Sequence, residues 1–365
     1  MKNKRIIILC PFPHGKAGGQ RFKYEQYLDH WKENGYEITI SSFTDLRLWQ
    51  VLYKEGFFLK KMYGGFKGYF TRLKDIFKLP FYDIVYVFMW VTPLGTTLFE
   101  RIIRALSKTL IYDFDDSIYL QRKVTNSSIV DFFKGSNKSN YLIQKSDHVV
   151  VNSPFNKKYC MDLNFRSKCT FIPNCLDSEK FIPSNTPNRS SLVTIGWTGT
   201  FSSIPYLNLL RNVFIQLSKR KEFKLKIIGN FEYKLKGVDI EVIRWNQDTE
   251  LEDLHSFDIG VYPVSKDEWA LGKGGLKALQ YMAIGIPTVA TDYGAVSSFI
   301  EDRMEGLLVN NDNEWLTCLE ELISNPDERE RLGRNARSKL VNNFSVTALK
   351  SEHLKVLGDA SNKNF

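Results

Sequence analysis

Short apolar runs recur along the chain, each separated from the next by a longer stretch whose apolar residues fall at helical spacing. The runs at residues 6–10, 84–88, 109–114 and 148–152 are continuous rather than alternating, the pattern of strands buried on both faces. Residues 37–41 supply another strand, and a helix is predicted over residues 20–34. Strands separated by helical segments at this spacing specify a parallel α/β sheet. Near Pro173 the pattern changes. Residues 173–191 carry three prolines among several Ser and Asn, the composition of an interdomain linker. The rhythm then restarts with strands at 193–197, 225–228, 240–243, 259–262, 288–291 and 306–309, and helices at 276–283, 314–323 and 327–342. The expected organisation is two successive α/β domains, residues 1–180 and 190–345. A final helix within 346–365 is weakly apolar and is expected to pack back across the domains.

Composition narrows the picture. A chain of 365 residues suits two domains better than one core. The formal net charge of +9 favours polyanionic partners. With no nucleic-acid module in the sequence, anionic lipid and phosphate-bearing small molecules remain. The cysteines, Cys10, Cys160, Cys169, Cys175 and Cys318, are odd in number and form no CxxC pair, which points to free thiols in a reducing compartment. No run of about 18 apolar residues is present to span a membrane. The apolar run 6–10 is too short for a signal peptide and ends in Pro-Phe-Pro, so it reads as a first strand and the expected location is cytoplasmic.

Residues 51–81 interleave Lys and Arg with Phe, Tyr and Leu, and their seven basic residues face only Glu55 and Asp75. Such a surface suits peripheral contact with an anionic membrane, at the inner face of the plasma membrane. Packing of the aromatics into the first domain is the alternative, and Gly64-Gly65 argues against one continuous helix.

The most informative chemistry lies at residues 258–294. A strand ends in a loop, and Gly272-Lys273-Gly274-Gly275 leads into the helix that begins at Leu276. Backbone N–H groups at a helix N-terminus, glycines that permit close approach and an adjacent lysine cradle a diphosphate. Lys277 lies one turn beyond Lys273, so both ammonium groups can face one anion. In the first domain, Gly18-Gly19-Gln20-Arg21 follows the first strand in the same manner. Asp113, Asp115 and Asp116 fall within four residues, a spacing that suggests a metal site when read in isolation. His148 and His255 stand at positions suited to structure, whereas His14 lies in the loop after the first strand. Trp197 and Trp269 suit either stacking on a ring or packing.

The segment 272–291, GKGGLKALQYMAIGIPTVAT, resembles the donor-binding signature of retaining glycosyltransferases of family 4, the group 1 glycosyl transferases. Other pieces follow the family order: GWTGT at 196–200, RW at 244–245, DIGVYP at 258–263, EGLLV at 305–309, EW at 314–315, LGRNAR at 332–337 and Phe344-Ser345. YDFDDSIY at 112–119 resembles a motif of the same group. The resemblance implies an α/β GT-B architecture, two Rossmann-like domains facing a central cleft, with the acceptor on the first and a nucleotide sugar on the second. It implies Arg21, Lys273 and Lys277 as the catalytic cations. Donor contacts would come from Gly18, Gly19, Trp197, Thr198, Gly199, Thr200, Arg244, Tyr262, Pro263, Gly274, Gly275, Leu276 and Gln280. Acceptor contacts would come from His14, Gln20, Asp115 and Asp116. No metal and no cofactor are implied, the nucleotide sugar being a co-substrate.

The chain departs from the family in three places. Where the family carries two glutamates separated by seven intervening residues, this chain has Gly272 and Gln280. The basic residues that follow the first strand of the family's second domain are replaced by Thr198, Thr200, Ser202 and Ser203. The expected activity is metal-independent retaining transfer of a sugar to a glycan or lipid-linked acceptor in bacterial surface polysaccharide assembly. The departures support a second reading, a catalytically inactive protein of the same fold that binds a nucleotide sugar or glycan as a partner subunit. An epimerase or phosphorylase on this fold is a third.

Overall fold

The structure, a computed structural model, describes residues 3–120, 136–164, 168–184 and 192–361. The part of the expected linker at 185–191 lies outside the described residues. The chain divides into two compact units, Met1–Pro173 with Leu349–Phe365, and Asn174–Ala348.

The first unit is built on a six-stranded parallel sheet in the order β2-β1-β3-β4-β5-β6. Its strands are β1 (Lys4–Cys10), β2 (Tyr36–Ser42), β3 (Ile84–Phe88), β4 (Leu110–Phe114), β5 (His148–Val151) and β6 (Lys168–Phe171). Ile6 to Cys10 are wholly buried, as an uninterrupted apolar run in a doubly covered sheet requires. Strand β6 escapes the sequence pattern because its residues, Lys-Cys-Thr-Phe, lie at the sheet margin and none is fully buried. The order reverses between β1 and β3: the connection after β1 runs to β2 on one side, and that after β3 runs to β4 on the other. Loops at the carboxyl ends of β1 and β3 therefore diverge and leave a crevice there.

The second unit has a six-stranded parallel sheet in the order β12-β11-β10-β7-β8-β9. These strands are β7 (Thr194–Thr198), β8 (Lys224–Ile228), β9 (Ile240–Ile243), β10 (Ile259–Tyr262), β11 (Thr288–Thr291) and β12 (Gly306–Val309). This is the doubly wound order of a dinucleotide-binding fold, and its switch point falls between β7 and β10. The helices Asp312–Ser324 and Pro326–Asn343 open with Asn311 and Asn325 as N-caps, each accepting an N–H at 3.1 Å.

Two expectations about helices need correction. The predicted helix over 20–34 is three pieces: Gly18–Arg21, a 3-10 turn at Tyr24–Tyr27, and Leu28–Glu33. Lys23 breaks it, leaving helical geometry at φ −117° and ψ −119°, and its buried ammonium meets the Asp113 carboxylate at 3.1 Å. Conversely, Gly64-Gly65 does not interrupt residues 51–81, because Phe58–Lys78 is one helix of 21 residues. A Cβ on Gly64 would stand 2.8 Å from Leu48, and one on Gly68 2.6 Å from the Phe43 ring. These glycines serve close packing. The closing helix, Val346–Ser361, carries His353 onto Tyr27, with ring centroids 3.9 Å apart. The cysteines are free thiols, buried except for half-buried Cys169.

Candidate functional site

In the second unit the candidate residues gather at the carboxyl ends of β7 and β10, where the topology opens the sheet. The helix Leu276–Ala283 begins at Gly275, in the left-handed region at φ +67°, and no side chain caps it. A Cβ at Gly275 would lie 2.6 Å from the Phe299 ring, so glycine alone fits there. The first N–H groups of such a helix have no intrahelical partner and carry partial positive charge. Lys277 follows on this helix, its Nζ 4.2 Å from the centre of the Trp197 ring. A Cβ on Gly199 would come within 2.8 Å of that Nζ, so Gly199 lets the ammonium lie against the backbone at the end of β7. Lys273 stands ahead of the helix, Nζ 5.3 Å from the Tyr206 ring.

The β7 end is pinned to the same helix. Thr198 N–H donates to Tyr281 Oη at 3.2 Å, and burial pushes that phenol above its usual range. Beyond it, the exposed Thr200 hydroxyl pairs with Ser202 at 2.8 Å. Tyr262 and Pro263 close the end of β10 and are buried, while Trp269 is half-buried. Trp197 is only 1% exposed and belongs to the core, which leaves no open face for the stacking considered for it. Arg244 is exposed at the end of β9 and stands two strands from β7 in the sheet.

Gln280 is buried, its Nε2 donating to Glu250 Oε1 at 3.4 Å, and Trp245 Nε1 donates to the same oxygen at 3.2 Å. Glu250 is thus a buried carboxylate that orients Gln280. Sequence reasoning missed it, because it begins a short helix that carries no recognisable motif, and only the nearby RW pair at 244–245 hinted at the region.

In the first unit the candidates cluster where the carboxyl ends of β1, β3 and β4 lie side by side. Gln20 is wholly buried. Its Oε1 accepts the Phe12 N–H at 2.8 Å, and its Nε2 donates to Phe12 O at 3.0 Å and Glu25 Oε1 at 3.1 Å. Gln20 therefore braces the loop after β1 rather than presenting its amide to an acceptor. Glu25, which the sequence did not single out, also accepts the Gly15 N–H at 2.9 Å and meets His14 Nδ1 at 3.4 Å. His14 remains 58% exposed by side chain. At Gly19 an added Cβ would meet nothing within 4 Å, so the open space above this glycine belongs to the surface and not to the core. Arg21 is half-buried, with its guanidinium 4.9 Å from the Phe22 ring.

The acidic run at the end of β4 divides. Asp113 points into the interior, accepting from Tyr86 Oη at 2.6 Å and pairing with Lys23. Asp115 is held by the Asn152 amide, and burial, reinforced by the Asp116 carboxylate, pushes it up to about 7. Asp116 adopts φ +57°, an uncommon backbone for a non-glycine residue. Among the described residues, no group of three or more His, Cys, Asp or Glu side chains is arranged to hold a metal ion. A cavity of about 250 Å³ opens beside this run, lined by Met89, Trp90, Thr92, Ile118 and Lys138. As expected for structural groups, His148 pairs with Thr170 at 2.8 Å and burial drops it to about 4, while His255 bonds the Ile182 carbonyl at 2.7 Å.

Residues 193–325 match the family model described as Glycosyl transferases group 1. The match falls within the second unit. An uncharacterised glycosyltransferase of Methanocaldococcus jannaschii is 26% identical over 212 residues, 56% of this chain and 57% of the relative. The chain spans only 14–57% of the length of the four curated relatives it matches. Among solved structures, sucrose-phosphate synthase from Thermosynechococcus elongatus is similar at a TM-score of 0.72 and 14% identity, over 98% of this chain and 99% of that one. HepE from Anabaena, solved with UDP and glucose, gives 0.67 and 13%, over 98% and 100%. The fold is that of the GT-B glycosyltransferases, with two Rossmann-like domains.

Proposed function

We propose that the chain is a retaining, metal-independent glycosyltransferase that moves a sugar from a nucleotide sugar to a glycan or lipid-linked acceptor. The observation that carries this is the glycine-bounded N-terminus of the helix Leu276–Ala283 at the switch point of the second sheet, with Lys273 and Lys277 beside it. Breaking the bond from the anomeric carbon to the diphosphate oxygen leaves negative charge on the departing diphosphate. Oriented N–H groups and ammonium groups stabilise that charge as it develops, often the largest catalytic contribution. The acceptor hydroxyl oxygen forms the new bond on the face the leaving group vacates, and its proton passes to the departing phosphate oxygen. No protein nucleophile is then needed.

Gln280 takes the ribose, its amide set by Glu250, and Thr200, Ser202 and Ser203 hydrogen-bond the donor in place of the family's basic residues. In the first unit His14, Asp115 and Asp116 contact acceptor hydroxyls. The basic aromatic stretch at 51–81 suits an acceptor held at the inner face of the plasma membrane, as in surface polysaccharide assembly. The catalytically inactive reading draws on Gly272, which cannot replace a carboxylate.

One experiment separates the two. The protein is incubated with labelled nucleotide sugars and lipid-linked or free glycan acceptors, in EDTA, and the product's anomeric configuration is read by NMR. A product with the donor's configuration supports the proposal. Binding without turnover, with and without added Mg²⁺, supports the inactive protein, and turnover that EDTA abolishes removes metal independence.

A further inference from the structure

The helix Phe58–Lys78 is amphipathic in the reverse of the usual sense. Its inward face is made of Gly64, Gly68, Arg72 and Asp75, all buried. Its outward face carries Phe58, Leu59, Met62, Tyr63, Phe66, Phe70, Leu73 and Phe77, each between 45% and 79% exposed. At 100° per residue these side chains fill one continuous arc of about 140°. Phe57, just before the helix, and Phe81, just after it, extend the apolar surface at 46% and 63% exposed. Scattered exposed apolar residues need no explanation, but a contiguous stripe of this size marks a binding surface.

The helix cannot roll to hide this stripe. Arg72, wholly buried, donates to the carbonyls of Cys10 at 2.7 Å, Ser41 at 3.0 Å and Val91 at 2.9 Å, and pairs with Asp75 at 3.1 Å. It thereby fastens the helix to the carboxyl ends of β1 and β2 and to the loop after β3. Gly64 and Gly68, in contact with Leu48 and Phe43, leave no room for another face.

Charge selects the occupant. Lys60, Lys74 and Lys78 are exposed in a row along one border of the stripe, and Lys67 in the same row is met by Asp45 at 2.7 Å. The helix has one acid, Asp75, and it is buried against Arg72. Two copies meeting through this face would bring lysine rows together with no acid of the helix to answer them. An anionic lipid surface answers both features: acyl chains take the aromatic stripe, and lysine stems reach back to the phosphates. No helix among the described residues is long and apolar enough to cross a membrane, so this one lies in the interface plane, about 30 Å long.

We infer that Phe58–Lys78 docks the chain flat onto an anionic membrane, with its Phe stripe inserted and its lysine row on the headgroups. The inference rests on this helix alone and is independent of the sugar-transfer reading.

The test is flotation of the full chain with phosphatidylcholine vesicles, with and without about 30% phosphatidylglycerol. The parent is expected to float with the anionic vesicles and at least about tenfold less with neutral ones. Phe66→Ser/Phe70→Ser/Phe77→Ser should reduce anionic binding at least tenfold at unchanged thermal midpoint, because these side chains support no core. Lys60→Gln/Lys74→Gln/Lys78→Gln should remove the preference for anionic lipid. A parent that floats with neither vesicle overturns the proposal, as does a Phe variant that floats like the parent. So does a parent dimer, seen by sedimentation velocity, that the Phe variant dissolves without any vesicle binding. UDP-sugar binding, measured on the same proteins, tests the donor site separately.

Discussion

Arg72 shows how much one residue can hold in place. Its guanidinium satisfies three carbonyls at the carboxyl edge of the first sheet and one carboxylate, with no exposure to water. Arg72→Met would strand those acceptors and leave Asp75 as an unpaired buried charge. The expected loss is about 3–5 kcal/mol in the urea unfolding of the first unit, and a loss under about 1 kcal/mol would contradict the latch. Asp115 makes a pH-dependent prediction. Its folded value, about 7, lies above the 3.8 of an ordinary Asp, so the folded state keeps a proton that the unfolded state releases. Its contribution to stability is full below about pH 4 and is lost as pH rises through 7. Asp115→Asn removes the titration. Its stability relative to the parent should therefore climb between about pH 4 and pH 7, by at most about 1.4 kcal/mol per pH unit. A difference that stays flat over that range would show Asp115 to be solvated. Neither residue was legible in this role. Arg72 read as one of seven basic residues in a stretch of mixed pattern, and Asp115 as one of three clustered acids, because sequence spacing does not say which side chain turns inward.

At the scale of elements, most strands were legible. The runs at 84–88, 259–262, 288–291 and 306–309 coincide with observed strands, since a doubly covered parallel strand needs largely apolar residues; the edge strand at 240–243 coincides as well, although Glu241 interrupts it and its residues are only half-buried. What failed was the inward packing of glycine and lysine. Gly64-Gly65 read as a break, but Gly64 is a contact point for Leu48, as Gly68 is for Phe43. Lys23 read as an ordinary helical residue but ends a helix by reaching Asp113. The Gly272–Gly275 loop stood out in the sequence through its likeness to the family's donor-binding segment, since glycines and lysines before a helix are by themselves as well explained by a structural turn with solvated lysines. Gly275→Ala tests its geometry. A Cβ there clashes with Phe299 and the backbone is left-handed, so a stability loss of about 2–4 kcal/mol is expected. Nucleotide-sugar binding should weaken in the fraction still folded. Loss of stability alone, with binding intact, would separate the loop from the donor.

At the scale of the whole chain, the net charge of +9 finds two uses. In the second unit Lys273 and Lys277 stand at a helix N-terminus suited to a diphosphate, and in the first an exposed lysine row borders an apolar stripe suited to lipid. The chain divides into two α/β units, each with its switch point at the carboxyl ends of its strands. The central claim is that the second unit binds a nucleotide sugar through its glycine-bounded helix. The most direct measurement is the thermal midpoint of the parent and of Lys273→Ala across UDP-, GDP-, CMP- and dTDP-linked sugars, in EDTA. A ligand that binds only the folded state raises the midpoint by mass action. The account predicts a clear rise for one nucleotide class in the parent, and a rise for Lys273→Ala only at concentrations at least about tenfold higher, as befits one lost charge-assisted contact. No rise with any nucleotide sugar, or an equal rise in the two proteins, would contradict it.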